Sequence, residues 1–238
     1  HLAYNYILKT FIILNDINIM EKENLVVFTG AGVSAESGVD TFRTDNGLWM
    51  NHKVEDVATP EGFKKDKDKV NEFYNNLREL ESKKKPNGAH MLLSHLEDDY
   101  NVTIVTQNVD SLHERGGSSN VIHLHGELNK VRSLSNTNDV IYWGDKPITK
   151  EDNLRPHIVW FGEQPLDINK SIKSIKEADV MVIIGTSFNI EYTIELVNKC
   201  GLIPIYFIDP NPDTTIFGDK EVTFIREKAV KGMSQLYE

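Results

Sequence analysis

Apolar residues are concentrated in four short runs at 25–28, 102–106, 180–184 and 203–208, rich in β-branched residues and broken only by Thr103 and Thr106. Runs without a polar alternate position predict strands buried on both faces, as in a parallel sheet. Between them, apolar residues recur at helical spacing over 69–84, 88–99, 168–177 and 191–199, with Pro86 and Gly201 as breakers. Strand and helix alternate, which predicts an α/β, Rossmann-like parallel sheet with helices on both faces. The four runs end in TGAG, TQNVD, GTS and DPNP. In a doubly wound sheet the loops after the strands form the ligand crevice, so these four polar endings are expected to converge.

Two stretches break the rhythm. Residues 51–85 are charged and helical, and residues 130–155 read as turns with one short strand pair. Together they predict a small inserted lobe on a Rossmann-like core made of 21–50, 86–129 and 156–238, with 1–20 as an N-terminal extension. Met20 is the expected natural start, the alternative being a helix that packs on the domain. The apolar part of that extension, 6–14, is interrupted by Lys9 and has neither a basic leader nor an A-x-A site, so no signal peptide or membrane span is expected.

Composition narrows the classes of partner. At 238 residues and 39% hydrophobic content the chain can bury one substantial core. The net charge of −10 argues against a nucleic-acid groove and suits cationic, lysine-bearing substrates. The lone cysteine, Cys200, rules out an internal disulfide or a Cys-x-x-Cys zinc pair and fits a reducing, cytoplasmic compartment. None of the eight histidines has the spacing of a helical ligand pair, so no metal is expected, and a monomer is expected.

The candidate chemistry lies at the strand ends. In VVFTGAGVSAESGVDTFR (26–43), Gly30 and Gly32 permit a tight turn and close ligand approach, and 33–37 can open a helix whose free amides attract phosphate. A purely structural strand-to-helix turn explains the same glycines. Asn108 and Asp110 can present a donor and an acceptor to a carboxamide, or Asp110 or Ser111 can simply cap the next helix. His123 and His125 are expected on one side of a strand, where one can take a proton from a sugar hydroxyl, or where both are packed or surface residues. The segment PHIVWFGE (156–163) reads as a loop forming a tunnel wall on which a peptide can add as a strand, or as residues buried under the lobe. Gly185-Thr186-Ser187 and Asp209-Pro210-Asn211 suit an adenosine half, with Asp209 on ribose hydroxyls or in a turn.

Taken in order, GAGVSAESG, TFR, TQNVDSLHERGG, HLHGEL, RPHIVWFGE and GTS resemble the sirtuins, NAD-dependent protein deacylases. The resemblance is nearest to the bacterial CobB-like subclass, also at 45–49 and in VEDVATPEGF at 54–63. It implies that NAD and an acyl-lysine peptide or protein meet between core and lobe. NAD contacts carried over are Gly30, Ala31, Gly32, Ser34, Ala35, Phe42, Arg43, Trp49, Gln107, Asn108, Val109, Asp110, Gly185, Thr186, Ser187, Asp209, Pro210, Asn211 and Ala229. His125 is implied as the catalytic base, assisted by Asn108, with Ala58, Tyr74, Val159, Phe161, Gly162 and Glu163 lining the acyl-peptide site. In the implied reaction the acyl oxygen displaces nicotinamide, and the histidine activates a ribose hydroxyl to attack the resulting alkylimidate. The products would be free lysine, nicotinamide and 2′-O-acyl-ADP-ribose.

The chain departs from the pattern in places. The family's four zinc cysteines are missing, Ser133 standing at the first, so the lobe is expected to lack zinc and to be held by packing through Tyr142 and Trp143. The tyrosine of acid-acyl-selective members is present as Tyr74, but the arginine three residues on is Leu77, with Arg78 turned about 100° away on a helix. This favours deacetylation over desuccinylation, with an NAD glycohydrolase or ADP-ribosyltransferase as the further alternative. Asp40 stands at the family's proline and Asp209 at its usual ribose asparagine; neither removes the chemistry.

Overall fold

The computed structural model describes residues 21–40 and 48–237, so the extension at 1–20 and the expected contacts Phe42 and Arg43 lie outside the described residues. The first strands in chain order are β1 (Asn24–Thr29), β2 (Leu48–Trp49), β3 (His52–Lys53), β4 (Asn101–Thr106) and β5 (Val121–His123). They are followed by β6 (Gly126–Ser133), β7 (Val140–Tyr142), β8 (Leu154–Ile158), β9 (Val180–Ile184), β10 (Ile205–Ile208) and β11 (Val222–Ile225). Six form one parallel sheet in the order β11-β10-β9-β1-β4-β5. The chain starts in the middle at β1, builds outward through β4 and β5, then crosses back to build β9, β10 and β11 on the other side. Such a reversal opens a crevice at the carboxyl ends of β1, β4 and β9.

The apolar runs do what two-sided burial requires. Val26 and Phe28 face a core with Ile175, Ile183 and Phe207, while Leu25 and Val27 face the opposite core with Leu93, Ile104, Ile208 and Met233. Helices cover both faces. Asp66 caps Lys67–Ser82 by accepting from the Lys69 amide, and Asn87 with His90 forms a reciprocal capping box at Gly88–His95. Ile168–Lys176 and Glu191–Val197 follow the predicted pattern.

Several elements differ from expectation. The strand expected from 203 begins at Ile205, since Pro204 has no amide to donate and contributes only its carbonyl, to Met181 N. The edge strand β11 and the helix Ala229–Tyr237 lie outside the predicted set, β11 because three of its residues are only partly buried and Thr223 is exposed. Residues 33–37 do not open an α-helix. They form two 3₁₀ turns, Ala31–Val33 and Ala35–Ser37, and Gly38 closes the second at φ 77°. The segment 156–163 is not all loop: its first residues complete β8.

A second, antiparallel sheet has the order β7-β6-β8 and packs with Lys67–Ser82 around an apolar cluster of Val57, Phe63, Phe73, Tyr74, Leu128 and Trp160. Tyr142 does not hold this region together, because it is 72% exposed. Two arginines do. Buried Arg78 donates from Nε to Leu128 O (2.7 Å) and from Nη1 to Asn75 Oδ1 (2.9 Å) and Lys146 O (3.3 Å), joining the helix to β6 and to the loop after β7. Arg155 donates to Ile158 O and to both Glu163 oxygens, and its guanidinium lies 3.4 Å from the Trp160 ring centroid.

Candidate functional site

The crevice is assembled by backbone bonds between neighbouring strand ends. Gly30 N donates to Ile184 O, Gly32 N to Gly185 O and Gln107 N to Thr29 O, all at 2.8–3.0 Å. The glycines serve this contact first. A Cβ on Gly32 would lie 2.5 Å from the Gly185 Cα, and one on Gly30 2.7 Å from the Gly185 carbonyl oxygen. The turns after β1 and β9 therefore touch backbone to backbone, and Gly185, at φ 63°, allows the bend. Gln107 Nε2 bonds Thr186 Oγ1 (2.9 Å), linking the ends of β4 and β9 across β1. Ala31 and Ser187 keep exposed surface beside it, and Ala35 is exposed.

Ser34 is the centre of the polar network. Its fully buried hydroxyl donates to Asp110 Oδ2 (3.0 Å) and accepts from Asn108 Nδ2 (3.2 Å). His90 Nδ1 accepts from the Asn87 amide, so its Nε2 carries the proton and points it at Ser34 Oγ (3.4 Å). The hydroxyl thus uses one donor and both acceptor positions. Asp110 reconciles the two readings of its position: Oδ1 accepts from Leu112 N at the start of Leu112–Arg115 while Oδ2 faces Ser34. Burial raises its pKa to about 6, against the opposing Leu112 and Ser34 bonds.

His125 stands just beyond β5. Its Nδ1 lies 2.8 Å from Gln107 O, which only accepts, so Nδ1 is protonated and Nε2 is the basic nitrogen. Burial lowers the pKa, partly offset by that carbonyl, so the ring stays neutral. His123 does not share its surroundings. The strand ends at His123, whose ring bonds Asn108 O (2.9 Å) and Glu114 (2.8 Å) instead. Gly126, at φ 84°, lets β8 pass so closely that a Cβ would overlap His157 O.

The segment after β8 borders His125: Val159 N donates to His125 O and Phe161 N to Ala58 O, both at 2.9 Å. Phe161 is half exposed, and Gly162 has open space around it. Glu163 is held by Arg155 and Trp160 N. Tyr74 has no exposed surface and its hydroxyl accepts from Trp160 Nε1 (3.0 Å). Trp49 packs edge-on against Phe73 and Tyr74. Val109 ties the two sheets together, its carbonyl accepting from Leu128 N. Asp209 N pairs with Ile225 O and its Oδ1 accepts from Asn211 N, a turn role, with Pro210 exposed between. Ala229 is buried at the start of the last helix, whose Val230 amide is capped by Glu36.

Sequence reasoning missed His90, His113 and Tyr192. Thr29 Oγ1 bonds Thr106 Oγ1 (2.8 Å) and His113 Nε2 (3.0 Å), and the His90 and His113 rings meet 4.9 Å apart. Only Asn87 three residues before His90, a capping-box spacing, hinted at any of this. Among the described residues, Glu114, His123 and Glu127 bring ligand atoms within 4.8 Å of one another. Their charges are already matched within the protein, Glu114 by His123 and Glu127 by Lys130. Among the described residues no helix is long and apolar enough to cross a membrane.

A model of the Sir2 family matches residues 30–192. An NAD-dependent protein deacylase of Bacteroides thetaiotaomicron is 44% identical over 226 residues, 90% of this chain and 96% of the relative. One from Aggregatibacter actinomycetemcomitans is 46% identical over 195 residues, covering 79% and 94%. Among solved structures, a Sir2 homologue in complex with NAD matches with a TM-score of 0.77 and 36% identity, covering 91% of this chain and 88% of that one.

Proposed function

The chain belongs to the Sir2 family, and from that premise we propose that it is an NAD-dependent protein-lysine deacylase with a preference for acetyl groups. One observation carries the reading. A neutral imidazole with its proton fixed on Gln107 O sits at the same strand ends as the buried Ser34, Asn108 and Asp110 network. The network holds the Asn108 amide in place, and the imidazole offers Nε2 to a hydroxyl proton. NAD enters as cosubstrate between the turns of β1, β4 and β9. An acyl-lysine chain approaches along 159–163, which is bonded to both His125 and Ala58. The substrate's own acyl oxygen acts as nucleophile, so no Ser or Cys nucleophile is needed, and a ribose hydroxyl, its proton taken by His125, captures the acyl group as 2′-O-acyl-ADP-ribose.

The acetyl preference rests on two commitments. Arg78 places Nε on Leu128 O and Nη1 on Asn75 and Lys146, with Nη2 buried and unpartnered, and Tyr74 receives Trp160, so no two-nitrogen fork is left free for a dicarboxylic acyl group. The arginine-pinned antiparallel sheet supports a lobe that folds without zinc, in a chain whose one cysteine is buried Cys200. The test incubates the full chain with NAD and acetyl-, succinyl- and long-acyl-lysine peptides. Nicotinamide release that depends on peptide, highest for acetyl, is expected. Release without peptide would make the protein a glycohydrolase instead.

A further inference from the structure

We propose that Tyr192 is the proton relay of His125, the group through which the base takes the substrate's proton; this rests on the deacylase reading above. His125 has one basic nitrogen, because Gln107 O fixes the other as a donor. That nitrogen is already occupied: the Tyr192 hydroxyl lies 2.7 Å from Nε2 and, facing an unprotonated nitrogen, donates to it. A substrate hydroxyl must therefore displace the phenol or act through it. Displacement is opposed by packing. Tyr192 is on the helix Glu191–Val197, its half-buried ring rests on the core that contains Phe28, Phe188 and Leu196, and it meets the imidazole edge-on at 6.2 Å. Its oxygen has unused acceptor capacity, so a ribose hydroxyl can donate to it while it donates to His125.

The step balances without a tyrosinate. As the ribose oxygen bonds to the acyl-derived carbon, its proton passes to the phenol oxygen and the phenol proton passes to Nε2, leaving tyrosine neutral and His125 protonated. Burial pushes the phenol's pKa well up, which favours one concerted transfer over a discrete anion. No base is required earlier, when the acyl oxygen displaces nicotinamide.

The experiment separates those stages in the full chain, using acetyl-lysine peptide, NAD and labelled nicotinamide. In Tyr192→Phe, peptide-dependent exchange of nicotinamide into NAD should stay within about threefold of wild type, while deacylated peptide forms on the order of 10–100-fold more slowly. His125→Ala should show the same split. Replacing Tyr192 with 3-fluorotyrosine, of similar size and greater acidity, should alter the deacylation rate and not exchange. Unchanged deacylation in Tyr192→Phe overturns the relay, and so does an equal loss of exchange, which would mark a structural role. A wild type with no peptide-dependent nicotinamide release overturns the deacylase reading, and the relay with it. The hydrogen bond is tested independently of activity by the His125 Nε2 nitrogen resonance, which should move in Tyr192→Phe; an unmoved resonance overturns the contact.

Discussion

The ends of the parallel strands and the antiparallel sheet are both crowded with polar groups, yet they are held together by different means. At the strand ends, side chains on or just after β1, β4 and β9 satisfy each other: Ser34 with Asn108 and Asp110, Gln107 with Thr186, Thr29 with Thr106. In the antiparallel region, two long cationic side chains reach over to backbone carbonyls and a carboxylate, Arg78 to Leu128 O and Lys146 O, and Arg155 to Ile158 O and Glu163. The first kind of network positions groups for chemistry, because each atom is fixed by neighbours that the sheet register already places. The second closes a small sheet whose own apolar core is limited. Burial lowers the Arg78 pKa to about 10, still far enough above neutrality to keep the guanidinium charged and donating.

The sharpest separation of the two regions comes from His125→Ala, expected to lower deacylation by roughly 10²–10⁴-fold while costing only about 1–2 kcal/mol of stability for the unpaired Gln107 O and Tyr192 hydroxyl. Peptide-dependent turnover measured beside thermal unfolding checks it; a large loss of stability would mean that the site also holds the fold. In wild type the acid limb of the turnover profile should lie below the usual imidazole value of about 6.5. The sign follows from the lowered pKa: the base remains neutral, and active, to more acidic pH. A limb at or above that value would contradict the buried, Gln107-anchored ring.

Arg78→Met should act in the opposite way. It leaves Leu128 O and Lys146 O without their donor and is expected to cost about 2–3 kcal/mol of stability. Denaturant unfolding gives the magnitude, and hydrogen exchange should show the loss concentrated in Lys67–Ser82 and β6, with β1 and β4 protected. Uniform loss throughout would mean the two regions unfold as one unit.

The smallest effect is expected where the regions adjoin. Glu114→Gln removes the partner of His123, for about 0.5–1 kcal/mol at most because Glu114 is partly exposed and screened. Burial, the largest single influence, opposes charge on both groups, but their hydrogen bond and mutual attraction, with Glu127 and Lys130 nearby, together outweigh it, raising the His123 pKa and lowering that of Glu114. A raised histidine pKa contributes stability that is complete below the unfolded value and lost as pH rises through the folded one. The cost of the substitution should therefore be greatest near pH 6 and fade in alkali, as unfolding curves across that range will show. A cost that grows with pH would reverse the assignment of charge.

Legibility in the sequence followed these same lines. The strands β1, β4 and β9 and the polar residues after them were readable because two-sided burial leaves a nearly unbroken apolar run, interrupted only by Thr103 in β4, and such runs end where the crevice begins. The helix expected at 33–37 failed because the close contact of Gly32 with Gly185 pulls that turn into 3₁₀ geometry, a constraint from a strand about 150 residues away. Tyr142 looked like an anchor because it is aromatic, but aromatic character does not say which face is covered, and it is exposed. Arg78 and Tyr192 carry no local signature of their roles, and His90 only the capping-box spacing from Asn87, since the decisive partners Leu128, His125 and Ser34 are distant in the chain.

The sequence by itself determined the alternation of strand and helix, the parallel sheet, and which strand ends carry amides, hydroxyls and an imidazole. These are local properties, set by side-chain type and the period at which it recurs. Tertiary structure alone decided that Gly30 and Gly32 fit a neighbouring backbone, that Arg78 closes the antiparallel region, and that Tyr192 covers the one basic nitrogen of His125. Those facts are distances between segments far apart in the chain, and they become fixed only when the sheet brings its strand ends together.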